Sequence, residues 1–184
     1  MSAMKDRDAD IHALDLPALC RHGQLLQGRT PLAGLTRLVD ALFAAPTADD
    51  AVTWSAQGSL LPVAGGEAQL WLALKAQALV QLQCQRCLQP LAQTLVLERR
   101  VRFVRDEDEA ARLDEESEDD VLAMPARLDL HGLLEDELIL ALPLVPRHEE
   151  CPRPLPLKEI ATAESEKALN PFAALAALRG RQSD

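Results

Sequence analysis

Apolar and polar residues alternate along most of the central chain, and this two-residue period restricts the fold more than any other feature of the sequence. Residues two apart on a strand share a face, so the pattern predicts strands with one buried and one solvent-facing side. The alternating apolar positions are Val52, Trp54, Ala56, Ala68, Leu70, Leu72, Leu74, Val80, Leu82, Leu95, Leu97, Val101 and Phe103. Gly58 predicts a bend and Gly65–Gly66 a tight turn. We therefore expect an antiparallel sheet or a small open β-barrel.

Helical signals flank this region, so the predicted fold class is α+β. Thr30 and Pro31 are typical of a helix N-cap and first turn, and the apolar spacing after them predicts a helix over 31–45. Asp129 is a candidate cap for a second helix, which Pro143 should end. We expect the charges of this second helix at Glu135, Asp136 and Glu137 to face mostly solvent.

The two ends of the chain have weaker patterns. Residues 1–29 have no sustained period and are predicted to be mostly irregular, with room for one strand. Asn170 and Pro171 predict a short C-terminal helix, which is too short to be stable alone and would have to dock on a surface. Its candidate partner-binding residues are Phe172, Leu175, Leu178 and Arg179. The predicted organisation is one domain over 1–169 and a helical tail over 170–184.

The acidity of the chain is concentrated in one segment. Residues 106–120 contain ten carboxylates and one arginine, a local net charge of −9, whereas the whole chain has a net charge of −10. A segment that repels itself in this way is predicted to be a solvated loop between the sheet and the second helix. The remainder of the chain is almost neutral, so contact with RNA is not excluded.

Several classes of protein are excluded by simple features. The N-terminus lacks the basic start and apolar run of a signal peptide, and the longest apolar run, Leu138–Val145, is too short to span a bilayer. We therefore expect a cytoplasmic protein with no membrane partner, in which the four cysteines are metal ligands or free thiols. With only five aromatic residues and no tyrosine, stacking of bases on aromatic side chains is not an expected mode of action.

The cysteines supply the most specific chemical motif. Cys84 and Cys87 have the spacing of half a zinc site, and His148 and Cys151 repeat that spacing later in the chain. Zinc and a vacant cluster of reduced thiols are both consistent with the pattern, and the carboxylates at 149 and 150 are alternative oxygen ligands. A redox motif is less favoured, because the pair lies between strands and not at a helix N-terminus. Cys20 is expected to be a small core residue.

An ordered set of segments resembles the bacterial YceD family of large ribosomal RNA subunit accumulation proteins. The segments are Gln83–Pro90 (QCQRCLQP), the acidic insertion, Leu134–His148 with Cys151 after it, and Asn170–Leu178. The resemblance implies a non-enzymatic factor needed for normal accumulation of 23S ribosomal RNA. It also implies that Cys84, Cys87 and Cys151 are candidate ligands. Relatives carry a second Cys-x-x-Cys half, where this chain has His148 and Cys151.

The residues themselves provide no catalytic motif, such as a glycine-rich phosphate loop or a His-Glu-x-x-His sequence, so an enzyme is not expected. One hypothesis is an assembly factor that contacts precursor 23S rRNA directly through cationic side chains. The candidate RNA-binding residues are Arg86, Arg99, Arg100, Arg102 and Arg105. The alternative is a protein-interaction module that uses its acidic segment to bind a basic large-subunit ribosomal protein or a processing enzyme.

Overall fold

The computed structural model describes residues 10–116 and 120–153, and its framework is one open five-stranded sheet. The strands are β1 (Leu25–Pro31), β2 (Ala51–Leu61), β3 (Gln69–Gln83), β4 (Pro90–Val104) and β5 (Asp120–Ala123), and they lie side by side in chain order. Strands β1 to β4 are antiparallel neighbours, whereas β5 runs parallel to β4. The predicted α+β class with an open sheet is confirmed, and the sheet is mixed.

Short helices accompany the sheet. In chain order they are α1 (Leu16–Arg21), a 3-10 turn (Leu32–Gly34), α2 (Thr36–Asp40), α3 (Glu107–Glu116) and α4 (Leu130–Leu140). Within the described ranges, no helix has both the length and the apolar character needed to cross a membrane. The predicted C-terminal helix, with its partner-binding residues Phe172, Leu175, Leu178 and Arg179, lies outside those ranges.

The two-residue period separates the faces of the sheet as predicted. The apolar side chains of β1 to β4 pack with α1, α2 and α4 into one core, in which Leu72, Leu74 and Leu38 are fully buried. The predicted bend at Gly58 is wrong, since this residue lies inside β2. Glycine fits there because a Cβ atom would come within 2.7 Å of the Leu19 backbone in α1. The predicted turn at Gly65–Gly66 is confirmed, and Gly65 has a φ of +76° that favours glycine.

The predicted helix over 31–45 is wrong. Thr30 and Pro31 end β1, where Pro31 pairs with Ala51, and the Thr30 hydroxyl accepts a hydrogen bond from the Trp54 indole at 2.9 Å. Of the leucines that suggested one helix, Leu32 belongs to the 3-10 turn and Leu38 to the five-residue α2, whereas Leu35 lies between the two and Leu42 follows α2. Burial of Leu38 and its neighbours in the core explains their spacing without a long helix.

The expectation for residues 1–29 was partly wrong. One strand is present, as allowed, but a short helix, α1, precedes it. Asp15 caps α1 by accepting from the Ala18 N–H at 2.9 Å, and Pro17 occupies the first turn. Since Leu16 and Leu19 are buried in the core, tertiary contacts stabilise a helix too short to persist alone.

The second predicted helix is confirmed as α4. Its N-cap is Asp129, whose Oδ1 accepts from the Gly132 N–H at 3.0 Å, and it ends at Leu140, before Pro143. The prediction that its charges face mostly solvent is wrong for Glu135, which is 5% exposed. The Glu137 side chain is also largely covered, at 12% exposure, and pairs with Arg99.

Glu135 is buried because it caps a different helix, α2. Its Oε1 accepts from the backbone N–H groups of Arg37 at 2.7 Å and Leu38 at 3.2 Å, which are unpaired at the N-terminus of α2. The Arg37 side chain donates to Oε2 at 2.9 Å and also pairs with Asp136. Burial alone would raise the pKa of Glu135, but these hydrogen bonds outweigh it and lower that pKa. The contact fastens α2 to α4.

The acidic segment is not the predicted solvated loop. Residues Glu107–Glu116 form α3, and β5 begins at Asp120. The helix is favoured because Asp106 accepts from the Glu109 N–H at 2.9 Å and because acidic residues occupy its positive N-terminal end. The apolar side of α3 packs on the face of the sheet opposite the core and forms a small second cluster there. That cluster contains Val104, Ala110, Leu113, Val121 and Ala123.

Candidate metal centre and cationic sheet face

The turn between β3 and β4 presents the first pair of thiols. The Cys84 N–H donates to the Gln89 carbonyl at 3.0 Å, and the Leu88 N–H donates to the Cys84 carbonyl at 2.8 Å. Leu88 has a φ of +59°, the left-handed conformation that this turn needs. The turn buries both Cys84 and Cys87 and brings their sulfurs together at one end of the sheet.

The second pair reaches this turn from the segment after α4. The Gln85 N–H donates to the Pro146 carbonyl at 2.8 Å and thereby anchors that segment. His148 Nε2 lies 3.1 Å from the Pro90 carbonyl, which can only accept a hydrogen bond, so Nε2 is the donor. In the neutral imidazole this tautomer leaves an electron pair on Nδ1 that can bind a metal. Fixing a ligand imidazole through its other nitrogen is the usual second contact of a metal-binding histidine.

The four groups have the spacing of a tetrahedral zinc site. Their ligand atoms all lie within 4.8 Å of one another. Zn–S and Zn–N bonds of ordinary length at tetrahedral angles place two sulfurs about 3.8 Å apart and a sulfur and a nitrogen about 3.5 Å apart. The structure has 3.9 Å between the sulfurs of Cys84 and Cys151, and 3.5 Å between Cys87 Sγ and His148 Nδ1. The donor set therefore fits zinc in both chemistry and size.

Arg86 closes one side of this group. Its Nε donates to Cys151 Sγ at 3.0 Å, while its Nη2 donates to the carbonyls of His148 at 3.1 Å and Glu149 at 3.0 Å. Three thiolates around a divalent cation leave one negative charge in excess, and the guanidinium lies where it offsets that charge. Arg86, a candidate RNA-binding residue in the sequence, is thus held at the candidate metal centre.

The surroundings already favour a thiolate at Cys84. Burial would raise the pKa of its thiol, but backbone N–H groups of three neighbouring residues donate to the sulfur, and the pKa falls to about 5. Burial and the neighbouring thiols raise the pKa of Cys87. Cys84 is therefore the ligand best prepared for a cation at neutral pH, whereas Cys87 would have to lose its proton if a cation bound.

The remaining sulfur and oxygen candidates lie apart from this centre. Glu149 and Glu150 are exposed and do not belong to the four-residue group. Cys20 is a core residue, as expected: it is 1% exposed, its Sγ contacts the Trp71 carbonyl at 3.4 Å, and burial raises its pKa.

The other four predicted RNA-binding arginines lie at three different places. Arg99 lies on the core-facing side of β4 and pairs with Glu137 at 2.9 Å and Asp120 at 3.4 Å. Arg100 and Arg102 alternate with it, and Arg100 and Trp71 share the opposite face, with the guanidinium 4.2 Å from the indole centroid. Arg105 follows the end of β4. The structure therefore does not gather them on one surface.

The face that carries Arg100 and Arg102 also collects two cations that sequence reasoning missed. The side chains opposite the core come from odd positions of β1 to β3 and even positions of β4, and we call this surface the cationic face. Its charged residues are Arg29, Lys75, Glu98, Arg100 and Arg102, a net charge of +3 in a chain of net charge −10. Counting strand positions by parity would have grouped them, since the pleat places alternate residues on one side.

About half of the other side chains on this face are polar and uncharged, and exposed apolar side chains such as Leu79 and Val96 lie among them. The polar ones include Gln27, Thr53, Ser55, Gln57, Gln77 and Gln81, all from positions that face away from the core. Lys75 and Glu98 form an ion pair, but both side chains are more than half exposed, so the pair is weak and easily exchanged. The surface can therefore donate hydrogen bonds to an anionic ligand over several strands.

A sequence model described as "Large ribosomal RNA subunit accumulation protein YceD" matches residues 72–179, more than half of the chain. The chain is 41% identical over 109 residues to the Haemophilus influenzae protein of the same description, an alignment that covers 57% of this chain and 63% of that protein. The match thus spans less than two thirds of that relative. No solved structure gives a significant match.

Proposed function

The chain belongs to the YceD family of large ribosomal RNA subunit accumulation proteins, and from this premise we propose that it is a ribosome biogenesis factor required for normal accumulation of 23S rRNA. We propose that it acts by binding and not by turnover. A set of four protein ligands around a metal is typical of a structural zinc site, whereas catalytic zinc keeps a position open for water or substrate.

The observation that supports a direct contact with precursor rRNA is the excess of positive charge on the strands of the cationic face, which lies beside the carboxylates of α3 on the same side of the sheet. An acidic chain has gathered four cations and one carboxylate on the cationic face. Arg and Lys side chains on an open sheet bind phosphates by charge-assisted hydrogen bonds, and release of counterions makes such binding sensitive to salt. Hydroxyl and amide side chains between the cations add neutral contacts to phosphate and sugar.

The metal centre has a supporting part in this proposal. Zinc would join the β3–β4 turn to the segment that follows α4, two parts of the chain that the sheet does not connect. It would keep β3 and β4, which carry Lys75, Arg100 and Arg102, paired up to the turn. The residues that would hold the ion are Cys84, Cys87, His148 and Cys151.

A second candidate function rests on α3. This helix places the carboxylates of Glu107, Asp108, Asp114, Glu115 and Glu116 in solvent, on the side of the sheet that bears the cationic face. Those charges repel RNA and attract a basic protein. The alternative function is therefore a module that binds a basic large-subunit ribosomal protein or a processing factor through α3, without direct contact with RNA.

Neutralising the cationic face separates the two candidates. We expect the variant Arg29→Gln, Lys75→Gln, Arg100→Gln to bind 23S rRNA fragments more weakly at every salt concentration and to reduce the slope of log affinity against log salt by about 2 to 3, roughly one for each lost phosphate contact. A filter-binding titration over a range of salt measures both quantities.

The matched control removes the same number of charges elsewhere. The variant Arg21→Gln, Arg127→Gln, Arg147→Gln changes three exposed arginines that lie outside the strands and outside α3, and it should retain the wild-type slope. Equal losses in both variants would mean that overall charge, and not this face, controls binding. Wild-type protein that binds a basic ribosomal protein but no rRNA fragment would reject direct contact and favour α3.

In cells, deletion of the gene is expected to lower 23S rRNA relative to 16S rRNA, because the family is named for accumulation of the large-subunit RNA. Quantitative gel analysis of total RNA at slow and fast growth measures the ratio. Restoration by the wild type and by the control triple variant, but not by the cationic-face variant, would connect the surface to the role. An unchanged ratio under both conditions would contradict the proposed function.

A further inference from the structure

A second group of metal-ligating side chains lies between the N-terminal segment and the first turn of α4. It consists of His12, Asp129 and His131, whose ligand atoms all lie within 4.8 Å of one another. The two imidazole rings are close, with centroids 4.7 Å apart and planes tilted by 40°. This group shares no residue with the thiol centre, and neither the family resemblance nor the proposed function requires it.

The backbone brings these side chains together, so their proximity does not depend on flexible contacts. Leu14 and Leu128 exchange two hydrogen bonds of 2.9 Å, which pair the N-terminal segment with the chain entering α4. The Ile11 carbonyl accepts from the N–H groups of Leu130 at 2.8 Å and His131 at 3.3 Å. The backbone beside His12 is therefore fixed to the backbone of Asp129 and His131.

The distances suit a small cation. Two ligands each about 2.0 to 2.1 Å from a zinc-sized ion lie about 3.3 Å apart at a tetrahedral angle. His12 Nδ1 and Asp129 Oδ1 are 3.3 Å apart. Asp129 is positioned for this contact because the same oxygen caps α4 through the Gly132 N–H at 3.0 Å. The His12 side chain is 59% exposed, so its ring is free to rotate until His12 and His131 bind the same ion.

We propose that His12, Asp129 and His131 form a second, exchangeable site for a borderline divalent cation such as Zn²⁺ or Ni²⁺. Two imidazoles and one carboxylate suit these ions, whereas Mg²⁺ and Ca²⁺ prefer a full set of oxygen ligands. Three protein ligands leave positions open to solvent, so the ion exchanges readily, unlike an ion enclosed by four ligands. The positive N-terminal end of α4 further weakens the binding.

Occupation of the site would fasten the N-terminal segment to α4. His12 comes from that segment, whereas the other two ligands belong to the start of the helix. A cation that binds only when the three groups are together stabilises the backbone pairing between Leu14 and Leu128. The site would thus make attachment of the N-terminal segment depend on the supply of free metal.

Calorimetric titration of the full chain with Ni²⁺, after saturation with one equivalent of zinc, tests the proposal. We expect the wild type to bind a further equivalent in the micromolar range, and His12→Asn or His131→Asn to weaken that binding by at least about tenfold. Asp129→Asn is informative because asparagine retains an N-cap acceptor, so α4 is preserved while the charged ligand is removed.

The matched control is His22→Asn, which removes an exposed histidine at the end of α1, away from the site. It should bind Ni²⁺ like the wild type. Hydrogen exchange provides a second readout, because Ni²⁺ should slow exchange at the amides of Leu14 and Leu128 in the wild type and in His22→Asn only. No second equivalent below about 1 mM Ni²⁺, or an equal loss in His22→Asn, would overturn the proposal.

Discussion

Replacing Cys84 with Ser is expected to release zinc and to lower the midpoint of thermal unfolding by about 8 to 16 °C. A ligand present at about 1,000 times its dissociation constant adds about 4 kcal/mol to the folded state. For a domain of this size, 1 kcal/mol corresponds to about 2 to 4 °C. Cys84 is the appropriate ligand to change because its sulfur is buried and contacts the second half of the site through Cys151.

Metal analysis after purification without chelator measures this effect together with calorimetry. The wild type should contain about one zinc per chain, and its three ligand thiols should react with thiol reagents only after the metal is removed. Cys20→Ser is the control, because Cys20 lies in the core and outside the four-residue group, so this variant should keep its zinc. Far less than one equivalent in the wild type, with thiols that react freely in the folded protein, would support the vacant cluster.

Glu135→Ala is expected to lower the free energy of unfolding by about 2 to 4 kcal/mol, somewhat less than the roughly 3 to 5 kcal/mol typical of breaking a fully buried charge pair. The change leaves the N–H groups of Arg37 and Leu38 without an acceptor. Exposure of the Arg37 side chain, at 54%, keeps its guanidinium hydrated and places the effect below that of a fully buried pair. Urea unfolding measures it.

Asp136→Asn is the matched control, because Asp136 pairs with the same arginine but is 55% exposed and accepts no backbone N–H of α2. Its loss should cost less than about 1 kcal/mol. Equal effects of the two substitutions would show that the ion pair to Arg37, and not the helix cap, accounts for the contribution of Glu135 to the free energy of unfolding.

The contribution of Glu135 should also depend on pH. Its pKa is lowered on folding, so the folded state holds its proton less tightly than the unfolded chain does. The stabilisation is therefore complete above the unfolded-state pKa of about 4.3 and is lost as pH falls through the lower folded-state value. The difference in stability between the wild type and Glu135→Ala should be constant near neutral pH and shrink in acid.

Strands β2 to β4 could be predicted from the sequence because they alternate between a buried and an exposed face, whereas β1 lies where only one possible strand and a helix start were expected. Helix α4 could be predicted because Asp129 and Pro143 mark its ends locally. The structure of the segment 31–45 could not be predicted, because apolar residues that enter the core from short turns have the same spacing as the apolar side of a helix. The acidic segment misled for another reason: a few small apolar residues in α3 and β5 suffice to pack it on the sheet.

The candidate metal ligands could be predicted because Cys-x-x-Cys and His-x-x-Cys are local spacings that a single turn brings together. The role of Glu135 could not be predicted, because it depends on contacts with Arg37 and Leu38, which lie 98 and 97 positions earlier in the chain. The arginines show a third case. Arg99 and Arg100 are neighbours in the sequence, yet the pleat of β4 turns one towards Glu137 and the other over Trp71.

The agreement between strand order and chain order has a consequence for how the protein folds. Strands β1 to β4 pair only with their sequence neighbours, so each pairing closes a local loop, the longest being 32–50, and can form as soon as its second strand leaves the ribosome. Contacts between parts of the chain that are far apart in sequence come later: Leu128 pairing with Leu14, α4 contacting α2, and Cys151 contacting Cys84. We therefore expect nascent chains to form the sheet first and to bring the four candidate zinc ligands together as one of their last folding steps.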